Sequence, residues 1–167
     1  MSGSIGLAGM AALRSGTGLV TVAIPEVCAT IVAGFEPSYM TLPLPTGSFG
    51  TISREAAIIV RDASALRTSV AIGPGLGRAP DALEVALDLY QHHPGPLVVD
   101  ADALFALALR RDVIETHAGP RILTPHAGEF RRLVGEPSLD IASLRRLAED
   151  WAAGHNVTLV LKGHCTL

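Results

Sequence analysis

Apolar and polar positions divide the chain into short apolar runs that alternate with amphipathic stretches. From Ser4 to Ser15 the residues are mostly Ala, Gly and Leu, and the run closes on Gly16 and Gly18. This predicts a tightly packed helix stopped by glycine. Leu19 to Ile24 (LVTVAI) is nearly continuous and β-branched, the pattern of a strand buried on both faces. Pro25–Glu26 opens a weak helix through Val32, and Tyr39 to Gly50, broken by prolines and glycines, reads as a loop holding a short strand. Ala56, Ile59, Val60 and Ala63 form the i, i+3, i+4, i+7 stripe of a helix between Ser53 and Leu66. Ser69 to Gly73 is a second buried strand. A helix over Asp81 to Gln91, a strand over Leu97 to Asp100 and a helix from about Asp102 to Arg110 follow. Arg121 to Thr124 reads as a strand and Glu129 to Val134 as a short helix. Asp140 caps a longer helix with the stripe Leu144, Leu147, Ala148 and Trp151, and Thr158 to Leu161 is the last strand.

Strands and helices thus alternate at least five times, and the strands are apolar without alternation. The expected class is α/β, with a mainly parallel central sheet covered on both faces, in one domain over residues 1–167. Apolar residues at 49% and charged ones at 17% suit a globular chain, and the 4% of aromatics leaves small side chains that let layers approach closely. The formal charge is −3, and no Lys/Arg run marks a phosphate-backbone footprint, which excludes nucleic acid as a partner. Arg110–Arg111 looks like a helix end; Arg131–Arg132 and Arg145–Arg146 read as solvated helix faces. Cys28 and Cys165 lack a CxxC pattern and are expected as free, buried thiols in a reducing compartment. No apolar run approaches the ~20 residues of a membrane span, and Met1 to Ser4 lacks a signal-peptide layout. A cytoplasmic protein without a membrane partner is the expectation.

Ligands of open parallel sheets bind outside the carboxyl ends of the strands. Four loops there carry special residues: Gly73–Gly77 (GPGLG), Asp100–Asp102 (DAD), Thr124–Glu129 (TPHAGE) and Lys162–Thr166 (KGHCT). The glycine loop offers backbone N–H groups and close approach, or is an ordinary turn. A carboxylate at a strand end serves a ribose hydroxyl, a metal or a substrate, and Asp102 alternatively caps the next helix. His126, held between Pro125 and Gly128, is placed to touch a ligand at a helix N-terminus that suits anions, and Glu129 stabilises the loop or helix start. Lys162 at a strand end is a phosphate partner or a lysine reaching for solvent. Zinc-ligand spacing, a GxSxG elbow and a GxxxxGK[ST] loop are all absent.

Taken in order, ALRSGTGLVTVAIPE, AIGPGLGR, LVVDADAL, ILTPHAGEF and LVLKGHCT resemble the ADP-dependent NAD(P)H-hydrate dehydratases over essentially all of the chain. The resemblance implies a three-layer ribokinase-like fold. It also implies conversion of hydrated NADH or NADPH back to NADH or NADPH, with ADP split to AMP and phosphate. By motif, Gly75, His126 and Ser4 would contact the hydrated nicotinamide nucleotide, and Lys162, Gly163, His164, Cys165 and Thr166 the adenine nucleotide. ADP is then a co-substrate, Mg²⁺ the accompanying cation, and a homotetramer the expected assembly. The family's catalytic Asp would lie beyond Leu167 and its opening strand before Met1, so the fold is expected to be incomplete at both ends. Two other readings remain: a ribokinase-like kinase of a vitamin precursor, and a non-catalytic nucleotide-binding remnant.

Overall fold

A computed structural model describes residues 1–167. Helix α1 (Ser2–Arg14) leads to strand β1 (Thr21–Pro25), a 3-10 turn at Glu26–Cys28, helix α2 (Ala29–Ala33) and strand β2 (Met40–Leu44). Helix α3 (Ala56–Ala65), strand β3 (Val70–Ile72), helix α4 (Pro80–His92), strand β4 (Leu97–Val99) and helix α5 (Ala101–Leu109) come next. Strand β5 (Arg121–Leu123), helix α6 (Ala127–Val134), helix α7 (Ile141–Gly154) and strand β6 (Thr158–Leu159) complete the order. The α/β class and the parallel pairing expected from the pattern are both present, because each strand-to-strand connection passes through a helix.

The strands form two parallel sheets, β1–β2 and β3–β4–β5–β6, rather than one. Residues 39–50, expected mainly as loop, supply β2, which registers Thr21 with Met40 through Pro25 with Leu44. Pro43 is tolerated there because β2 has β1 as its only neighbour, so its missing donor faces no partner. Burial on both faces of β1 is also corrected. Val22 and Ile24 are buried while Ala23 between them is exposed, so only one face meets the core.

The largest apolar cluster joins Leu97, Val99, Leu123 and Leu161 of the four-stranded region to α4, α5, α6 and α7. On the alternate strand positions Ala71 is exposed, and Val98 and Ile122 are half-buried. A second cluster, Val20, Val22, Ile24, Val32 and Tyr39, belongs to α1 and the two-stranded sheet. A third, with Leu44, Ile52, Ala56, Ala82 and Val85, lies between them. Asp140 caps α7 as expected, accepting from the Ser143 N–H at 3.0 Å.

One buried group is foreign to an apolar core. Helix α4 is followed by Pro94, so the Tyr90 carbonyl has no N–H four residues on. Arg121, buried at the start of β5, fills that place. Its Nε and Nη2 donate to the Tyr90 carbonyl at 2.8 and 2.6 Å, and Nη2 also donates to His93 at 2.6 Å. Its Nη1 donates to Gly95 and Pro120 at 3.2 and 3.0 Å. The strand's arginine thus serves as the C-terminal cap of a helix far away in sequence.

Candidate functional site

The parallel register brings the carboxyl ends of β3, β4, β5 and β6 to one rim. Across it the Asp100 N–H donates to Ile72, Thr124 to Val99 and Val160 to Leu123. Beyond β6 the pairing resumes as a parallel bridge between His126 and Lys162, with the Lys162 N–H donating to Pro125 at 2.8 Å.

The glycine loop after β3 is fixed from two sides. Gly73 has φ +121°, and a Cβ there would overlap the Asp100 carbonyl, so β4 can approach only glycine. Gly75 has φ +71°, and a Cβ on it would lie 2.9 Å from the Ser4 Cβ of α1. Ser4 and Gly75 are therefore neighbours. From the β4 side, the Gly77 N–H donates to Asp102 Oδ2 at 3.0 Å, and Arg78 Nε donates to Oδ1 at 3.1 Å. Asp102 does not cap α5, which corrects one expectation. Asp100 holds the N-cap position without a side-chain bond, and Asp102 turns its carboxylate to the glycine loop. Between them Ala101 has φ +50°, a conformation that L residues rarely adopt. The two carboxylates diverge across it. Asp100 Oδ1 accepts from Lys162 Nζ at 2.6 Å.

His126 begins α6 as its N-cap. The ring Nδ1 accepts from the Gly128 and Glu129 N–H groups at 3.0 and 3.3 Å, and Glu129 Oε2 accepts from the His126 N–H at 2.8 Å. This is a capping box with an imidazole in the usual place of a hydroxyl. It bears out the stabilising role expected of Glu129. It also corrects the expected anion site: two of the leading amides are already spent on the imidazole, so the helix end offers an anion fewer donors. With Nδ1 accepting, the ring N–H lies on Nε2, 3.5 Å from Glu129 Oε1, on an exposed side chain.

Gly163 to Thr166 form an exposed turn after Lys162. Arg145 of α7 donates to the Cys165 carbonyl at 2.6 Å, so Arg145 is a tie to this loop rather than part of a solvated face. Both cysteines are free, but Cys165 is exposed and Cys28 half-buried, against the expectation of two buried thiols. Among the sequence candidates, Ser4 meets Gly75, and His126 meets Lys162. Asp100 and Asp102 join the two pairs. Groups of three or more His, Cys, Asp or Glu side chains suited to a metal are absent.

A cavity of about 550 Å³ lies elsewhere, at the opposite ends of β5 and β6, between Pro120, Arg121, Ala153, Asn156 and Thr158. Its walls hold none of the rim residues.

A family model described as NAD(P)H-hydrate dehydratase matches residues 1–167. The chain belongs to the NAD(P)H-hydrate dehydratase family. Across all of its length this dehydratase-family chain is 39% identical to the bifunctional NAD(P)H-hydrate repair enzyme Nnr of Moorella thermoacetica, covering 32% of that protein. It is 32% identical to the ADP-dependent (S)-NAD(P)H-hydrate dehydratase of Bacillus subtilis, covering 100% of this chain and 55% of that one. The family chain therefore spans about a third to a half of the length of these relatives. The crystal structure of the ADP/ATP-dependent NAD(P)H-hydrate dehydratase from Bacillus subtilis, co-crystallized with ATP/Mg²⁺ and soaked with CoA, superposes with a TM-score of 0.72. The identity there is 27%, over 99% of this chain and 56% of that one. A ribokinase-like superfamily protein from Enterococcus faecalis, with a TM-score of 0.76 at 24% identity, covers 98% of this chain and 54% of its own, and shows the same fold. The fold is thus ribokinase-like. No helix is long and apolar enough to cross a membrane.

Proposed function

We propose that residues 1–167 form one functional domain carrying the ligand-contacting rim of an ADP-dependent NAD(P)H-hydrate dehydratase, which returns hydrated NADH or NADPH to NADH or NADPH. The observation that carries this reading is the joining of Ser4, Gly75, His126 and Lys162 along one rim through Asp100 and Asp102. The family's relatives named for this activity favour it over a vitamin-precursor kinase or a non-catalytic remnant.

In this reading Ser4, Gly75 and His126 hold the hydrated nicotinamide nucleotide. Gly75 permits close approach, and His126 Nε2–H donates to an oxygen of the ligand. The adenine nucleotide lies along Lys162 to Thr166. Lys162 can exchange its Asp100 partner for a phosphate oxygen, and both side chains are open enough to water for that exchange. Hydroxide leaves a reduced ring poorly. Transfer of the terminal phosphoryl of ADP to the ring hydroxyl yields AMP and a phosphate ester. Loss of that phosphate with the neighbouring ring proton restores the double bond. Such a transfer depends on positioning and positive charge around the moving group, which is the role assigned to Lys162.

The rim does not fit a resident Mg²⁺. Asp100 is paired with Lys162, and Glu129 accepts from the His126 N–H. Since Mg²⁺ is commonly held by one or two carboxylates plus substrate phosphates, a cation would enter with the nucleotide. The free cysteines support a reducing cytoplasmic setting. Val27, Ile31 and Phe35, all exposed around α2, support self-association into the homotetramer that the resemblance implies.

Titrating the chain with ADP and with hydrated NADH, alongside AMP release and recovery of NADH absorbance, tests the proposal. Binding of both ligands is expected. His126→Ala should weaken hydrated NADH about tenfold, the size of one lost hydrogen bond, and leave ADP within about twofold. A chain that binds neither, or a variant that loses ADP first, overturns the assignment.

A further inference from the structure

We propose that Asp102 is the positioning residue for the backbone of the glycine loop, holding Gly75 and Gly77 in the one arrangement that can receive the nicotinamide nucleotide. This rests on the reading of the rim given above.

The loop cannot hold itself. Gly73, Gly75 and Gly77 have φ of +121°, +71° and +85°, in a region where glycine alone moves freely and gains no support from its own conformational preference. Within the loop one backbone bond is present, from the Leu76 N–H to the Gly73 carbonyl at 3.1 Å. Two anchors come from outside the loop: the Met1 amino group donates to the Gly75 carbonyl at 2.7 Å, and the two oxygens of Asp102 take the Gly77 N–H and Arg78 Nε.

The cost of that anchor is visible next door. An acid in the first turn of α5 would ordinarily bond the helix's own leading amides. Asp102 does not bond them, and Ala101 takes a left-handed conformation between the two aspartates. Strain of this kind persists only where the surroundings enforce it, and it points to a purpose at the site. Asp102 is also well shielded, with a side chain 19% exposed. The guanidinium of Arg78 lies 4.2 Å from the centre of the Phe105 ring on the same helix, which keeps Arg78 beside Asp102. Asp102 itself touches neither Ser4 nor His126 in the contacts of the site. It acts through the loop.

The test compares Asp102→Ala, Asp102→Asn and Arg78→Ala in the full chain. Hydrogen–deuterium exchange of the peptide 73–79 is read together with calorimetric titration of hydrated NADH and of ADP. Asp102→Ala should raise loop exchange and weaken hydrated NADH, each about tenfold, for one lost bond to a charged acceptor, with ADP held within about twofold. Asp102→Asn keeps an oxygen for the Gly77 N–H and should restore most of the protection and affinity. Arg78→Ala leaves that bond in place and should stay near wild type in exchange. Unchanged exchange in Asp102→Ala, or parallel loss of both ligands, overturns the proposal, as does an Asp102→Asn variant no better than Asp102→Ala. A wild-type chain that binds ADP but not hydrated NADH overturns the reading of the rim instead. Loop exchange then decides by itself whether Asp102 sets the loop.

Discussion

Replacing Arg121 by methionine removes five hydrogen bonds to four carbonyls and a buried positive charge at once. Two effects oppose each other. Burial without a carboxylate partner lowers the proton affinity of the guanidinium, the mark of a cation held at a desolvation cost, partly offset by the nearby Tyr90. That cost is several kcal/mol and is returned when the charge is deleted. Against it, the Tyr90, His93 and Gly95 carbonyls lose the guanidinium that serves them, at roughly 1–3 kcal/mol each. The Pro120 carbonyl suffers less, since it also accepts from the Leu97 N–H. Loss of one partner from a buried charged arrangement usually dominates, and a net loss of about 3–5 kcal/mol is expected. With an m-value of about 2 kcal/mol/M, the urea midpoint should fall by roughly 2 M. Arg121→Lys should recover part of this, because a compact ammonium reaches fewer carbonyls than a planar fork. Equilibrium unfolding followed by fluorescence of Trp151 reads both variants. A methionine variant within about 1 kcal/mol of wild type would refute the reasoning, since the charge would then cost as much as its bonds return.

His93 is buried and neither ring nitrogen has a protein partner, and burial followed by the Arg121 cation holds its proton affinity below the ordinary histidine range. The unfolded chain therefore binds the proton first, so this stability is full above about pH 6.5 and declines as pH falls below it. His93→Phe should flatten that acid limb in melting curves taken at several pH values. Gly73→Ala should cost about 3 kcal/mol or more, from left-handed strain plus overlap with the Asp100 carbonyl, and loss of the Lys162–Asp100 pair should be visible by NMR. A mild variant would show that β3 and β4 can part there. Leu144→Ala, at a wholly buried position of α7, should destabilise by about 2–5 kcal/mol in urea titration, several times the effect of Ala at exposed Ile141.

The alternation of elements was legible because helix stripes such as Ala56, Ile59, Val60 and Ala63 follow from periodicity, which is local. The rim was legible for the same reason: the motifs fall directly after strands, and parallel pairing brings strand ends together. Partners across the sheet were not. Asp100 with Lys162 and Asp102 with Gly77 join residues 62 and 25 positions apart, and no local pattern chooses between capping and reaching across. The cap by His126 had a signal in Glu129 three residues on, although imidazole is not among the usual N-cap groups. Pro94 likewise announces a helix end without revealing that Arg121 would close it. A short strand was expected between Tyr39 and Gly50, but the split into two sheets escaped because no local pattern tells which strands pair, and an edge proline costs the pairing nothing.

The separate apolar clusters give the rim a mechanical meaning. Ser4 stands on the helix that packs over the small Val20–Tyr39 cluster, whereas Lys162 extends from the large one. Five buried side chains make a weak anchorage, so the segment from α1 to β2 should open to solvent exchange well before the α4–α7 assembly does. A molecule that bridges Ser4 and Lys162 would rivet the two together. Opening would then first require its release, adding about 2.7 kcal/mol at a ligand concentration one hundred times the Kd. Occupancy of the rim and the lifetime of the amino-terminal segment against proteases would rise and fall as a single quantity.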